Sequence, residues 1–156
     1  ENPGCKAAFY WFSKVQGNTT AMYNMGQCFL KGWGTPKNID MALNFFLAVE
    51  EQTHDAASQY GIGECYEWMS PSQMDTAVGW YEKAAEKGLP AAQLRMGYIH
   101  WGGQGHATLD FVRAKMWFIL SGDNSVRNYP PDLTRDQIGE AEGMAAEWRM
   151  THAMKR

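Results

Sequence analysis

The chain repeats itself. Three segments, AMYNMGQCFLKGWG from Ala21, SQYGIGECYEWMSP from Ser58 and AQLRMGYIHWGGQG from Ala92, align on one pattern. In each, a small residue stands four positions before an apolar–Gly pair, Met25–Gly26, Ile62–Gly63 or Met96–Gly97, and a ring follows the Gly by three, at Phe29, Tyr66 or His100. A second block keeps the same register: Ala42, Ala77 and Ala114 each stand three residues before an aromatic pair, Phe45–Phe46, Trp80–Tyr81 and Trp117–Phe118. The glycines lie 37 and 34 residues apart. That period suits one helical hairpin, which cannot bury its apolar face alone and must stack on its neighbours.

The spacing predicts an amphipathic first helix in each unit, burying positions i, i+4 and i+8 such as Ala21, Met25 and Phe29. The second helix is expected to bury its Ala and its aromatic pair, Trp80 among them. A Gly inside a helix costs about 1 kcal/mol relative to Ala. Its recurrence at one register therefore points to close approach of helix axes, with the aromatics filling the space between hairpins. The breakers agree: Gly32, Gly34 and Pro36 separate two helices, as do Pro71 and then Gly102, Gly103 and Gly105, while Gly88 and Pro90 mark the step between units.

The motif A-x-x-x-L-G-x-x-Y-x-x-G-x-G, followed by D-x-x-K-A-x-x-W-Y-x-K-A-A-x-x-G, is that of the Sel-one-like repeats, relatives of the tetratricopeptide class. The chain resembles them from about residue 5 to 122, and WYEKAAEKG at 80–88 matches the end of the motif at its fixed positions. It departs in repeat two, which has EWMSPSQ in place of the G-x-G turn, and in repeat three, with His100 at the Tyr position and one extra residue before Asp110. The resemblance implies an all-α fold: a right-handed α-α superhelical solenoid of about three hairpin repeats plus a C-terminal capping helix. As one domain over 1–156, it would comprise the second helix of an incomplete repeat (5–16), repeats at 17–53, 54–88 and 89–122, a link at 123–133 and a closing helix at 134–154. Thr134 and Gln137 form a capping-box pattern at the start of that last helix, and Ile138, Ala141, Ala145 and Trp148 follow at helical spacing.

A length of 156 residues is enough to bury a core without disulfides or metals. A net charge of -3, and a terminal Lys155–Arg156 pair as the only basic run, argue against a nucleic-acid partner. No apolar run is long enough to cross a membrane. Cys5, Cys28 and Cys65 are too few and too widely spaced for a disulfide framework or zinc motif. They read as small buried hydrophobes, and the state of Cys5 stays open. The first residue is Glu1 rather than Met, which leaves room for a removed targeting segment or for missing upstream sequence. A periplasmic or secreted location is the expectation, with the cytoplasm left open.

Catalytic machinery is not evident. His54, His100, His106 and His152 include no His-x-x-x-His pair of a zinc helix, and Asp55 reads as a helix cap. Relatives have been linked with penicillin binding and β-lactamase activity, yet no Ser-x-x-Lys or Lys-Thr-Gly occurs. GGQGHAT at 102–108 lacks the strand and the Gly-Lys-Ser/Thr of a phosphate loop and reads as an inter-helix turn. Asn18-Thr19-Thr20 is formally a sequon and reads better as a cap for the helix that Ala21 opens. No cofactor and no metal are expected.

In this family the first helix of each unit tends to line the concave side. After the buried stripe is removed, the remaining first-helix positions include Tyr23, Asn24, Gln27, Leu30, Lys31, Tyr60, Gly61, Glu64, Trp68, Arg95, Tyr98 and Trp101. Of these, Tyr23, Asn24, Gln27, Lys31, Tyr60, Glu64, Trp68, Arg95, Tyr98 and Trp101 are the candidate partner-binding residues, because Tyr, Trp and Arg supply rigid area with a polar handle. The rival reading is satellite core, Trp101 above all tucking under the next loop. Tyr129-Pro130-Pro131 reads as stiff and exposed, tying the closing helix on or lying across the groove. The expected function is a non-enzymatic module that holds a protein or peptide in its groove, as a bacterial envelope adaptor or as an immunity protein against a secreted toxin. A cell-wall or β-lactam-directed enzyme and a segment of a longer scaffold are the alternatives.

Overall fold

The computed structural model describes residues 3–14, 17–126, 128–130 and 132–153, apart from the side chains of residues 3–5 and 8. The state of the Cys5 thiol, the Lys155–Arg156 pair and Pro131 of the link lie outside them. The fold class is all-α, that of a helical-repeat solenoid, with no strand among the described residues. The helices are α1 (Pro3–Lys14), α2 (Thr19–Lys31), α3 (Ile39–Thr53), α4 (Ala56–Met69), α5 (Met74–Glu86), α6 (Pro90–Gly102), α7 (Phe111–Ser121) and α8 (Arg135–Ala153). The chain divides into two compact units, residues 1–80 and 81–156, and the boundary falls within α5.

In the first unit α2 packs on α3, α3 on α4, and α1 on α2. The core is Leu30, Ala42, Phe46, Ile62 and Cys65, flanked by Tyr23, Phe29 and Trp80. Phe46 occupies a notch cut by two glycines. A Cβ built on Gly26 would stand 2.7 Å from its ring, and one on Gly61 would stand 2.9 Å away. Only a residue without a side chain lets the two first helices, α2 and α4, meet the ring from both sides. The aromatic stack continues outward: Phe45 lies parallel to Phe29 at 5.8 Å, and Phe9 of α1 meets Phe29 edge-on at 5.4 Å.

The second unit repeats the device. A Cβ on Gly97 of α6 would fall 2.3 Å from the Phe118 ring of α7. Phe118 packs with Ala114 and Val126, and Leu94, Tyr98 and Trp101 lie against this cluster. Helix α8 packs on α7, where Trp117 and Trp148 meet edge-on at 6.3 Å.

Four expectations need correction. Phe29, placed in the buried stripe of α2, is half-buried against the first core. Leu30 and Gly61, assigned to the water-facing remainder, are buried. Leu30 joins Ile62 and Cys65 in the core, and Gly61 is covered by Phe46. Of the second pair it is Tyr81 that is fully buried, while Trp80 is half-buried against the first core. Pro130 of the link, expected to be exposed, is buried, while Tyr129 is exposed.

The ends of the helices follow local chemistry. Asn18, Asn38, Asp55 and Asp110 each accept a hydrogen bond from the backbone N–H three residues on, at 2.8–3.0 Å, and so open α2, α3, α4 and α7. Asn18 is therefore the cap of the sequon triplet. Burial alone would raise the Asp55 carboxyl. Hydrogen bonds from the Thr53 hydroxyl and from Ser58 outweigh it and hold the group below the usual range. Thr134 and Gln137 make the full reciprocal box: the Thr134 N–H donates to Gln137 Oε1 at 2.9 Å, and the Gln137 N–H donates to Thr134 Oγ1 at 3.3 Å.

The turn inside repeats one and three is one construction. Gly32 and Gly103 close α2 and α6 in the left-handed region, at φ 73° and 59°. The capping residue of the next helix then reaches back, Asn38 N–H to Phe29 C=O at 2.9 Å and Asp110 N–H to His100 C=O at 3.0 Å. The extra residue of repeat three is absorbed in the loop without losing this bond. Repeat two instead runs through Ser70, whose hydroxyl accepts from the Ser72 N–H at 3.2 Å, and a short 3-10 turn at Pro71–Gln73 into α5.

Candidate partner-binding surface

All ten candidate residues keep solvent access: Lys31 and Trp68 are exposed, and the other eight are half-buried. In the first unit they form two linked pairs and one outpost. The Tyr23 hydroxyl accepts from Gln27 Nε2 at 3.1 Å, one turn along α2. Burial, the largest cause, raises the Tyr23 phenol, so it stays neutral and available as a donor. Lys31 Nζ meets Glu64 Oε1 at 2.7 Å and ties the end of α2 to α4. Asn24 and Tyr60 are half-buried beside these pairs in sequence, on α2 and α4.

Trp68, at the end of α4, is the outpost. It is 62% exposed, and Lys37 Nζ sits 3.5 Å above its ring. Trp33, between the turn glycines, is 52% exposed. Sequence reasoning passed over Lys37 and Trp33. Both lie in the α2–α3 turn, and the only available signal was a large aromatic and a cation beside Gly34 and Pro36.

In the second unit Arg95 donates from Nη2 to Gln104 Oε1 at 3.3 Å and lies over the Tyr81 ring at 5.8 Å. Tyr98 and Trp101 are 6.3 Å apart, and Tyr98 also meets Phe118 edge-on at 5.2 Å. Trp101 packs edge-on against Tyr129 of the link at 5.1 Å. The link thus reaches the end of α6, and Trp101 shares its area between surface and satellite core.

The remaining reactive groups have structural surroundings. Cys28 and Cys65 are buried. Burial, helped by the negative charge of Glu64, pushes the Cys65 thiol up to about 12. Since the thiolate is the nucleophile, iodoacetamide at mildly alkaline pH is expected to leave Cys65 unmodified in the native protein and to label it in urea, as peptide mass spectrometry would report. His54 closes α3 at φ 49° with its side chain toward Glu50 at 3.4 Å. His100 is buried with Nδ1 3.5 Å from the Thr108 carbonyl, and burial pulls it below the usual imidazole range. Among the described residues no three His, Cys, Asp or Glu converge as metal ligands, and no helix is long and apolar enough to cross a membrane.

The repeat code of these hairpins matches the model of the Sel1 repeat at residues 19–48, 56–89 and 90–126, well over half of the chain. The chain belongs to the Sel1 repeat family. Sel1 repeats typically serve as protein–protein interaction modules, and the fold is generally a non-catalytic scaffold. Among solved structures, a Sel1 repeat protein from Oxalobacter formigenes is similar at 25% identity, with a TM-score of 0.67, over 97% of this chain and 67% of that one. A protective antigen from uropathogenic Escherichia coli strains, displaying an SLR fold, is 25% identical with a TM-score of 0.48. That match covers 94% of this chain and 41% of the antigen. No curated protein matches the chain.

Proposed function

We propose that this Sel1 repeat chain is a non-catalytic binding module that holds a partner protein, or a peptide segment of one, on the surface of its first helices. The observation that carries the reading is the set of solvent-accessible Tyr, Trp and charged side chains at repeat-equivalent sequence positions of α2 and α4 in the first unit and of α6 in the second. Its most accessible member is Trp68. Large rigid rings with part of their area still wet are what binding hot spots are made of. The wider role that fits is an envelope adaptor, or an immunity protein that neutralises a secreted toxin, in the periplasm or outside the cell.

The experiment is affinity capture with the purified chain, wild type beside Trp68→Ala. Because Trp68 is mostly exposed, the substitution is expected to shift stability by less than about 0.5 kcal/mol. The same substitution should weaken capture of the partner by about tenfold or more. Equal retention of the partner by both proteins would remove Trp68 from the site. Equal retention by a combined Tyr60→Ala/Glu64→Ala/Arg95→Ala variant would sink the first-helix surface as a whole.

A further inference from the structure

Repeat three departs from its sister repeats in a single chemical direction. Three equivalent positions read Met25, Phe29 and Asn44 in repeat one, and Ile62, Tyr66 and Gly79 in repeat two. In repeat three they are Met96, His100 and Met116. Packing alone does not ask for this, since the other units fill the last two positions with a ring that has no nitrogen and with Asn or Gly. Met96 and His100 stand one turn apart on α6 and share a face. With Met116 of α7 and Met144 of α8 they line one cavity of about 390 Å³, which lies within the second unit. Three thioethers and an imidazole are thus brought to one place from three helices. Met96, His100 and Met116 are buried, and Met144 is half-buried.

The imidazole is set up to ligate. A carbonyl can only accept, so Nδ1, 3.5 Å from the Thr108 carbonyl, carries the ring proton and Nε2 keeps the lone pair. Histidines that hold metals are oriented in this way, by a hydrogen bond on the other ring nitrogen. Thioether sulfur is a soft donor that selects Cu(I), whereas Ca²⁺ and Mg²⁺ seek oxygen. We propose that Met96, Met116, Met144 and His100, through Nε2, form a binding site for Cu(I). All four donors are neutral, so the bound ion keeps its single positive charge. The rest of the wall suits that charge: Glu82 and Glu86 of α5 contribute carboxylates, and Trp117 and Trp148 contribute indole rings. The opposing cation, Arg113, lines the same cavity and is held by Asp110 at 3.4 Å. The site uses none of the ten residues of the partner-binding surface, so it stands or falls apart from that reading.

The test is an anaerobic titration of the whole chain with Cu(I), read from the methionine methyl resonances. Every thiol that reacts in the native protein is alkylated first, so that cysteine does not compete for the ion. The methyls of Met96, Met116 and Met144 are expected to shift together and to saturate at a single ion per chain. Met150, which is 66% exposed on α8, should stay in place. His100→Tyr restores the residue of the repeat motif, and Met144→Leu keeps the volume while removing the sulfur. Each should weaken binding by about tenfold or more, as the loss of even a supporting group at a metal site does. Methyls of the three buried and half-buried methionines that do not move, or that move only in step with Met150, overturn the site. So does a folded variant that binds Cu(I) as tightly as the wild type. If His100→Tyr does not fold, Met144→Leu decides alone.

Discussion

Replacing Phe46 with alanine is expected to cost about 3–5 kcal/mol of folding stability, at the upper end for a buried aromatic truncation. The ring is fully buried and touches α2 at Gly26 and α4 at Gly61. Both walls of its notch are backbone, which cannot move in to fill the space without shifting a whole helix, so most of the cavity stays open. Urea unfolding followed by circular dichroism measures the loss. A value near 1 kcal/mol would mean that the helices close over the gap and that the notch does not set their spacing. Trp80→Ala, which removes a half-buried ring from the edge of the same core, should cost less than Phe46→Ala.

Filling a notch should hurt as emptying one does. Gly97→Ala places a methyl 2.3 Å from the Phe118 ring, itself buried against Ala114 and Val126. Overpacking of this kind costs about 1–3 kcal/mol, set against a gain of up to about 1 kcal/mol in helix propensity. A net destabilisation of about 1–2 kcal/mol is expected. Gly139 of α8 is the control. Nothing lies within 4 Å of its would-be Cβ, so Gly139→Ala should stabilise by up to about 1 kcal/mol. The two substitutions are the same chemistry with opposite expected signs, and thermal melts side by side would read both. A stabilised Gly97→Ala protein would show that α6 and α7 can separate at no cost.

Much of this architecture is legible in the residues because the repeat writes each packing rule three times. Ala42, Ala77 and Ala114 are all fully buried, as their shared register requires. The caps at Asn18, Asp55 and Thr134 are local chemistry, complete within four residues. Leu30 and Gly61 escaped for a physical reason. A stripe read at i, i+4 and i+8 describes one buried face, but a first helix inside a stack is covered on two sides. Gly26 faces the aromatic of its own hairpin, and Gly61 faces that of the hairpin before. The second face carries no periodic signal of its own, since Gly and Leu serve there equally well. The aromatic pairs posed a similar problem: both members are apolar, and only the direction of the neighbouring helix decides that Phe46 and Tyr81 go fully inside while Phe45 and Trp80 stay at the edge. The candidate surface was legible as positions and not as partnerships. Lys31 with Glu64 and Lys37 with Trp68 join residues more than 30 apart in sequence, a distance no local pattern spans.

The Phe46 ring has a consequence for how the first unit comes apart. It is shared by two consecutive hairpins, so neither can open and leave the other intact: lifting α2 strips one face of the ring, and lifting α4 strips the other. In a linear array the energy stored between neighbours sets how many repeats melt as one block. A single side chain seated in both repeats raises that interfacial share at the expense of the intrinsic one. The first two repeats should accordingly behave as one cooperative segment, with no populated state in which only one of them is folded.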